Sequence, residues 1–307
     1  MADAGKDLLL VIVGPTASGK SVLALRLAER CGGEIVSADS RTVYRGMDIG
    51  TAKPTPAERA RTQHHLLDVV APDEPYTLAD YQQQALAAIA DIHARGKLAL
   101  LVGGAGLYVS AVCDGLRLPE VAPDPAFRAE LEGQDWQTLQ AQLARVDPVA
   151  AERIDPKNKR RVVRALEVHH ATGVPFSKWQ KRRTDMPFKP VFVGLTVERQ
   201  ELYQRIDARI DAWLAAGLLD EVRGLLAHGY SSSLPSMSGI GYRELARVIH
   251  GQLELAEAIQ QIKHATHAYA RRQLTWFRRD PRIHWLAADA TLDGQERLLL
   301  ELFQHQR

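Results

Sequence analysis

The chain has 307 residues, of which 46% are hydrophobic and 25% charged, and 39 Lys or Arg against 37 Asp or Glu leave a formal charge of +2. That length suits two domains or one core with a large insertion, buries enough surface to fold without disulfides, and contains no apolar run of about 18 residues that would span a membrane. A charge so near zero argues, at face value, against a nucleic-acid partner. Two cysteines, Cys31 and Cys113, are too few for a disulfide framework or a metal cluster, and both are expected as small buried hydrophobes in a reducing cytosol.

In chain order, residues 8–13 are a continuous aliphatic run meeting Gly14 and Pro15. This predicts a central parallel strand; no charged region and small-residue cleavage site mark it as a signal segment. Residues 21–30 follow as a helix with Val22, Leu25 and Leu27 apolar, and 34–38 as a second short strand. The stretch 76–95 reads as a helix opening after Pro75, with Asp80 in its first turns and Gly96 at its end. Residues 98–102 form a third aliphatic strand closed by Gly103 and Gly104. From 119 to 190 no strand pattern is found. Pro119, Pro123 and Pro125 punctuate the start, Pro187 and Pro190 the end, and helical stretches fall near 128–132, 139–145 and 160–172. Then come a strand at 191–196, helices at 201–216 and 219–228 stopped by Gly217 and Gly229, a long helix at 255–277 and a last strand at 283–286. The alternation predicts an α/β fold, a parallel sheet flanked by helices, built from 1–118 and 191–307 and interrupted by an all-helical insertion at 119–190.

Gly14, Pro15, Thr16, Ala17, Ser18, Gly19, Lys20 and Ser21 match G-x-x-x-x-G-K-[ST] between a strand and a helix. In that context backbone amides and the helix N-terminus cradle a polyphosphate, Lys20 supplies a point charge, and the Ser21 hydroxyl is the magnesium ligand. A nucleoside triphosphate and an allylic diphosphate present the same oxygens to such a loop. The core is therefore P-loop NTPase-like. Asp39 follows the second strand and is expected at the C-terminal edge of the sheet, where ligands bind, as a general base or metal ligand; a turn carboxylate is the plainer alternative. Arg205 and Arg209 share one face of a helix, which a solvated, salt-bridged surface also explains. Charge is uneven. Residues 153–183 hold ten Lys or Arg against two acids, a net +8, and residues 263–282 hold six against one, a net +5. Trp179 lies in the first block and Tyr269, Trp276 and Phe277 in the second, a mixture suited to phosphates and unstacked bases.

Six segments, GPTASGKS at 14–21, ADSRTVYRGMDIGTAKP at 38–54, LVGGAGLY at 101–108, RVVRALEV at 161–168, SGIGYREL at 238–245 and RRQLTWFRR at 271–279, resemble the tRNA dimethylallyltransferase (tRNA isopentenyltransferase) family in sequence and order. The resemblance implies transfer of a dimethylallyl group from dimethylallyl diphosphate to the exocyclic amine of the adenosine 3′ of the anticodon, with Mg2+ and a helical domain that grips the anticodon stem-loop. It implies Asp39 as the base, and Thr16, Lys20, Ser21 and Arg209 as diphosphate and metal contacts. It implies tRNA contacts at Asp39, Ser40, Arg41 and Thr42, at Ala105 and Phe127, and at Arg160, Arg161, Val162, Val163 and Arg164. Thr42 stands where many members have glutamine, and Ala105 where many have threonine. A cytoplasmic monomer is expected. A P-loop kinase with a helical lid, or a non-catalytic RNA-binding NTPase switch, fits the same sheet and loop. Of these, the kinase accounts poorly for the two basic blocks.

Overall fold

The computed structural model describes residues 7–119, 121, 122, 124–155, 157–179, 183–287 and 294. They divide into two compact units, Met1–Cys113 with Pro187–Arg307, and Asp114–Met186. The insertion is therefore bounded at Cys113/Asp114 and Met186/Pro187, four to five residues before the boundaries read from the proline pattern.

The first unit opens with β1 (Asp7–Val13), α1 (Lys20–Cys31), β2 (Glu34–Ser37), α2 (Pro56–Arg61), β3 (His64–His65), α3 (Leu78–Ala94), β4 (Ala99–Gly103) and α4 (Gly106–Cys113). The second unit holds α5 (Pro125–Glu132), α6 (Trp136–Val146), α7 (Pro148–Arg153), α8 (Lys159–Thr172) and α9 (Phe176–Trp179). The first unit resumes with β5 (Phe188–Thr196), α10 (Arg199–Ala215), α11 (Leu218–Ala227), a 3-10 turn at Ser236–Ser238, α12 (Tyr242–Ile249), α13 (Leu255–Phe277) and β6 (His284–Ala287).

Six strands form one parallel sheet in the order β3-β2-β4-β1-β5-β6. Residues 9–13 of β1 are buried because both its neighbours are strands and helices cover both faces. Leu10, Ile12, Leu100 and Val193 pack on Leu23, Ala24 and Leu27 of α1. Ala17, Val43, Met47, Leu202, Ile206, Leu218, Leu245, Ile262 and Ala270 form a second core around the C-terminal helices. Strand β5 begins three residues earlier than the sequence pattern, with Pro190 inside it. Pro190 is tolerated because β6 pairs only with Val193–Thr196, so that stretch has β1 alone as its neighbour. Cys113 is buried, but Cys31 is exposed in the last turn of α1, and no disulfide joins them.

The second unit is all-helical among its described residues, as expected, around Leu131, Leu139, Leu143, Val162, Val163 and Leu166. Its helices start on side-chain caps. Asp124, Asp135, Asp147 and Asn158 each accept the N–H three residues on. No helix among the described residues is long and apolar enough to cross a membrane.

Candidate active site

The C-terminal ends of β1, β2 and β4 bring the predicted site residues of the first unit together. After β1 the chain turns through the cradle loop into α1, with Gly19 at φ 93° and Ala17 at φ 63°. Left-handed backbone is inexpensive for glycine but costs a non-glycine residue on the order of 1 kcal/mol, a strain typical of ligand-holding loops. Lys20 opens α1, and its Nζ donates to Pro15 O at 2.5 Å. In the loop, Ser18 Oγ is buried with no hydrogen-bond partner among the described residues, and the Ser21 hydroxyl is exposed. Donors left in this way are what an oxygen-rich anion satisfies.

Asp39 lies just past β2 and is half-buried, with its Oδ1 accepting the Arg41 N–H at 2.8 Å. Burial raises its pKa above the ordinary carboxylate value, against the opposing pull of the Arg41 N–H and the Lys20 charge. Burial first, and then the Arg209 guanidinium, lower the Lys20 pKa to about 7. Arg209, from α10, is half-buried beside the Trp213 ring, 6.0 Å from its centroid, and has no carboxylate partner among the described residues. Two mutually repelling cations and a carboxyl of raised pKa thus share one edge of the sheet. That arrangement favours a multiply charged anion next to a proton acceptor. Arg205, on the same helix, is instead tied to Glu201 at 2.5 Å, so the solvated-surface reading holds for it.

The segment after Asp39 is fixed from several sides. Arg41 donates to Pro235 O at 2.8 Å and Ser236 O at 3.1 Å, which joins it to the 3-10 turn. Thr42 is buried with its hydroxyl 3.0 Å from Ser37 Oγ, while Ser40 is half-buried. Lys53, its side chain 1% exposed, holds Asp48 at 2.5 Å and Asp68 at 2.6 Å and donates to Tyr44 O at 2.8 Å. Glu221 accepts the N–H groups of Asp48, Ile49 and Gly50 and the Tyr242 hydroxyl. Ala105 begins the turn after β4, its N–H donating to Ala38 O at 3.2 Å.

Neither Lys53 nor Glu221 was singled out by sequence reading, nor was Gln273, whose side chain bonds to the cradle. Lys53 and Gln273 sit inside the resembling segments, so the signal available was the motif itself and not any local pattern. Tyr108 was likewise unread as a site residue, and Tyr269 was read only as one of the aromatics in the second basic block. Burial raises both phenols well above the usual range, with Asp39 contributing. Tyr108 also stacks on the fully buried Tyr81, with ring centroids 3.9 Å apart.

In the second unit, Phe127 stacks on His170 with centroids 4.2 Å apart. Arg160 and Arg161 are exposed, with no carboxylate partner among the described residues, whereas Val162 and Val163 are buried in the unit's core. Arg164 bonds to Glu167 at 2.6 Å and to Val121 O at 3.1 Å. The cations this segment presents to a partner are therefore Arg160 and Arg161. Lys181 and Arg182 of the first basic block lie outside the described residues. Arg272 on α13 and Arg278 and Arg279 just past its end are exposed without carboxylate partners among the described residues, and Trp276 is also exposed.

No group of three or more His, Cys, Asp or Glu among the described residues is arranged to hold a metal. The Ser21 hydroxyl is a hard-oxygen ligand of the kind magnesium takes, and magnesium commonly takes few ligands from protein in phosphate sites.

The family described as IPP transferase matches residues 42–280. A protein of Roseiflexus castenholzii named tRNA dimethylallyltransferase is 58% identical over 286 residues, covering 92% of this chain and 93% of that one. The crystal structure of the full-length tRNA isopentenylpyrophosphate transferase of Bacillus halodurans is similar, with a TM-score of 0.74 and 40% identity over 98% of each chain. A eukaryotic dimethylallyltransferase captured acting on tRNA has a TM-score of 0.85 and 28% identity, over 98% of this chain and 80% of that one.

Proposed function

The chain belongs to the tRNA dimethylallyltransferase family, and from that premise we propose how its own residues divide the reaction. The donor is dimethylallyl diphosphate and the acceptor the exocyclic amine of the adenosine 3′ of the anticodon. A C–N bond forms as the allylic C–O bond breaks, diphosphate leaves, and the amine gives up one proton. Residues 14–21 hold the diphosphate. Lys20 and Arg209 meet the charge that grows on the leaving oxygens, where fixed cations in a partly desolvated site act most strongly. Ser21 would hold Mg2+ on the protein side, where the ion would add charge neutralisation to the same oxygens. Asp39 takes the proton.

The observation that carries this reading is the placing of Lys20, at the head of α1 in the cradle, within the fields of both Arg209 and Asp39. A raised pKa makes Asp39 a better base at neutral pH, while the Lys20 charge and the Arg41 N–H oppose the loss of its ionised form. The exposed cations Arg160 and Arg161 in the second unit, Arg272 on α13, and Arg278 and Arg279 just past its end serve the phosphates of the RNA. The relatives support the transferase and not the kinase.

Nucleosides from tRNA incubated with the protein and dimethylallyl diphosphate, without ATP, are expected to show adenosine carrying one added prenyl group by mass spectrometry. Unmodified adenosine, or modification that requires ATP, refutes the donor. Asp39→Asn is expected to lower kcat by about 10²–10⁴ while tRNA affinity stays within about twofold, which is the usual size of a general-base effect. Turnover near wild type removes Asp39 from the role.

A further inference from the structure

The side chain of Gln273 lies between the cradle and the turn after β4. It comes from α13 and is 6% exposed. The Thr16 N–H donates to its Oε1 at 2.8 Å, and its Nε2 donates to Gly104 O at 2.9 Å. One partner is only a donor and the other only an acceptor, so a single orientation of the amide satisfies both. The fit is close. A Cβ on Gly104 would come within 2.1 Å of Gln273 Nε2. One turn further along α13, the Trp276 ring lies over Gly106, where a Cβ would meet it at 2.2 Å.

We propose that Gln273 is a positioning residue that couples RNA docking on α13 to the shape of the diphosphate cradle. Arg272 and Trp276, on either side of it in sequence, are exposed, while Gln273 is buried and grips Thr16. An RNA that settles on the exposed residues therefore acts on the helix that fixes one amide of the loop. The inference rests on the reading of the loop as a diphosphate site and of α13 as an RNA-facing helix. It adds that the two ligands are not independent, and that one side-chain amide carries the link. Gln273 touches neither substrate; it acts through Thr16 and Gly104.

The test measures binding of inorganic pyrophosphate by calorimetry, with and without a saturating anticodon stem-loop RNA, in the full chain. The wild type is expected to bind pyrophosphate about fivefold or more tightly with RNA present, the lower end of ordinary coupling between sites. Gln273→Met keeps the bulk of the side chain but removes both hydrogen bonds, and its ratio is expected to fall within about twofold of one. Gly104→Ala attacks the same link from the other side without altering α13, and is expected to behave alike. Because that variant leaves Gln273 in place, it also guards against a folding defect peculiar to the substitution in the helix. A loss of melting temperature alone, with the wild-type ratio kept in both variants, overturns the proposal. A wild-type ratio near one overturns it as well. A wild type that binds no pyrophosphate removes the cradle reading, and the link with it.

Discussion

Lys20 holds its proton weakly in the free protein, with a pKa lowered to about 7 by burial and by the neighbouring Arg209. A bound diphosphate reverses the sign of its surroundings and raises that pKa, because an opposite charge favours the ionised ammonium. Pyrophosphate binding above pH 7 must then draw a proton from solution, and affinity should decline as pH rises through about 7. Calorimetry in buffers of different ionisation enthalpy is expected to show net proton uptake at pH 7.5–8. The uptake should be lost in Lys20→Met and retained in Asp39→Asn. Lys20→Met should also weaken pyrophosphate about 10- to 150-fold, the range of a lost charge-assisted hydrogen bond. A wild-type binding enthalpy that does not vary with the buffer's ionisation enthalpy would show that Lys20 is already charged before the anion arrives.

At the scale of elements, α8 shows how the second unit is held. Glu167 is buried, and burial alone would raise its pKa. Arg128, Arg164 and the Asp124 N–H outweigh that and bring it down to about 2. A carboxyl whose folded pKa is depressed adds stability above its unfolded pKa, near 4.3, and loses it as pH falls through the folded value. Glu167→Gln should therefore open the α8 amides to hydrogen exchange at pH 7, by up to on the order of 3 kcal/mol. The difference from wild type should close between about pH 4.5 and 2, and a gap that persists at pH 2 would assign the loss to packing. Arg164→Gln belongs to the same network and should destabilise α8 in the same sense. These partners were not readable in advance. The helix itself was, since 160–172 carries its own apolar period and α13 matched its predicted span of 255–277. The short elements α2, β3, α4, α7, α9 and α12 were missed, and α3 starts later than predicted because the Thr77–Asp80 capping box sets its first turn. The cradle was legible because its whole signal is eight consecutive residues. Asp39 was legible because a strand end places it. Gln273 was not, because its partner Thr16 lies 257 residues away and no local pattern records such a contact.

Over the whole molecule, the charge of +2 conceals two cationic segments of +8 and +5 on a remainder of −11. The near-neutral total therefore does not exclude an RNA partner, because counterion release is governed by the cations that meet phosphates and not by the sum over the chain. Several cations of the basic blocks are already occupied. Lys159 caps the carbonyls of Glu132 and Gln134, Lys263 pairs with Asp211, and Arg282 with Asp280. What remains on α8 for phosphate is chiefly Arg160 and Arg161. Replacing both with Gln should reduce the slope of log K against log salt for tRNA by about 2, roughly one for each phosphate contact removed. The Arg164→Gln slope should stay near wild type, because that guanidinium is committed to Glu167 and Val121 O. Filter binding across a salt series separates the two outcomes. Equal slopes in all three proteins would return Arg160 and Arg161 to a solvated helix face. A slope lowered as much by Arg164→Gln would mean that RNA draws Arg164 away from Glu167, and that docking is bought at the expense of the contact that steadies α8.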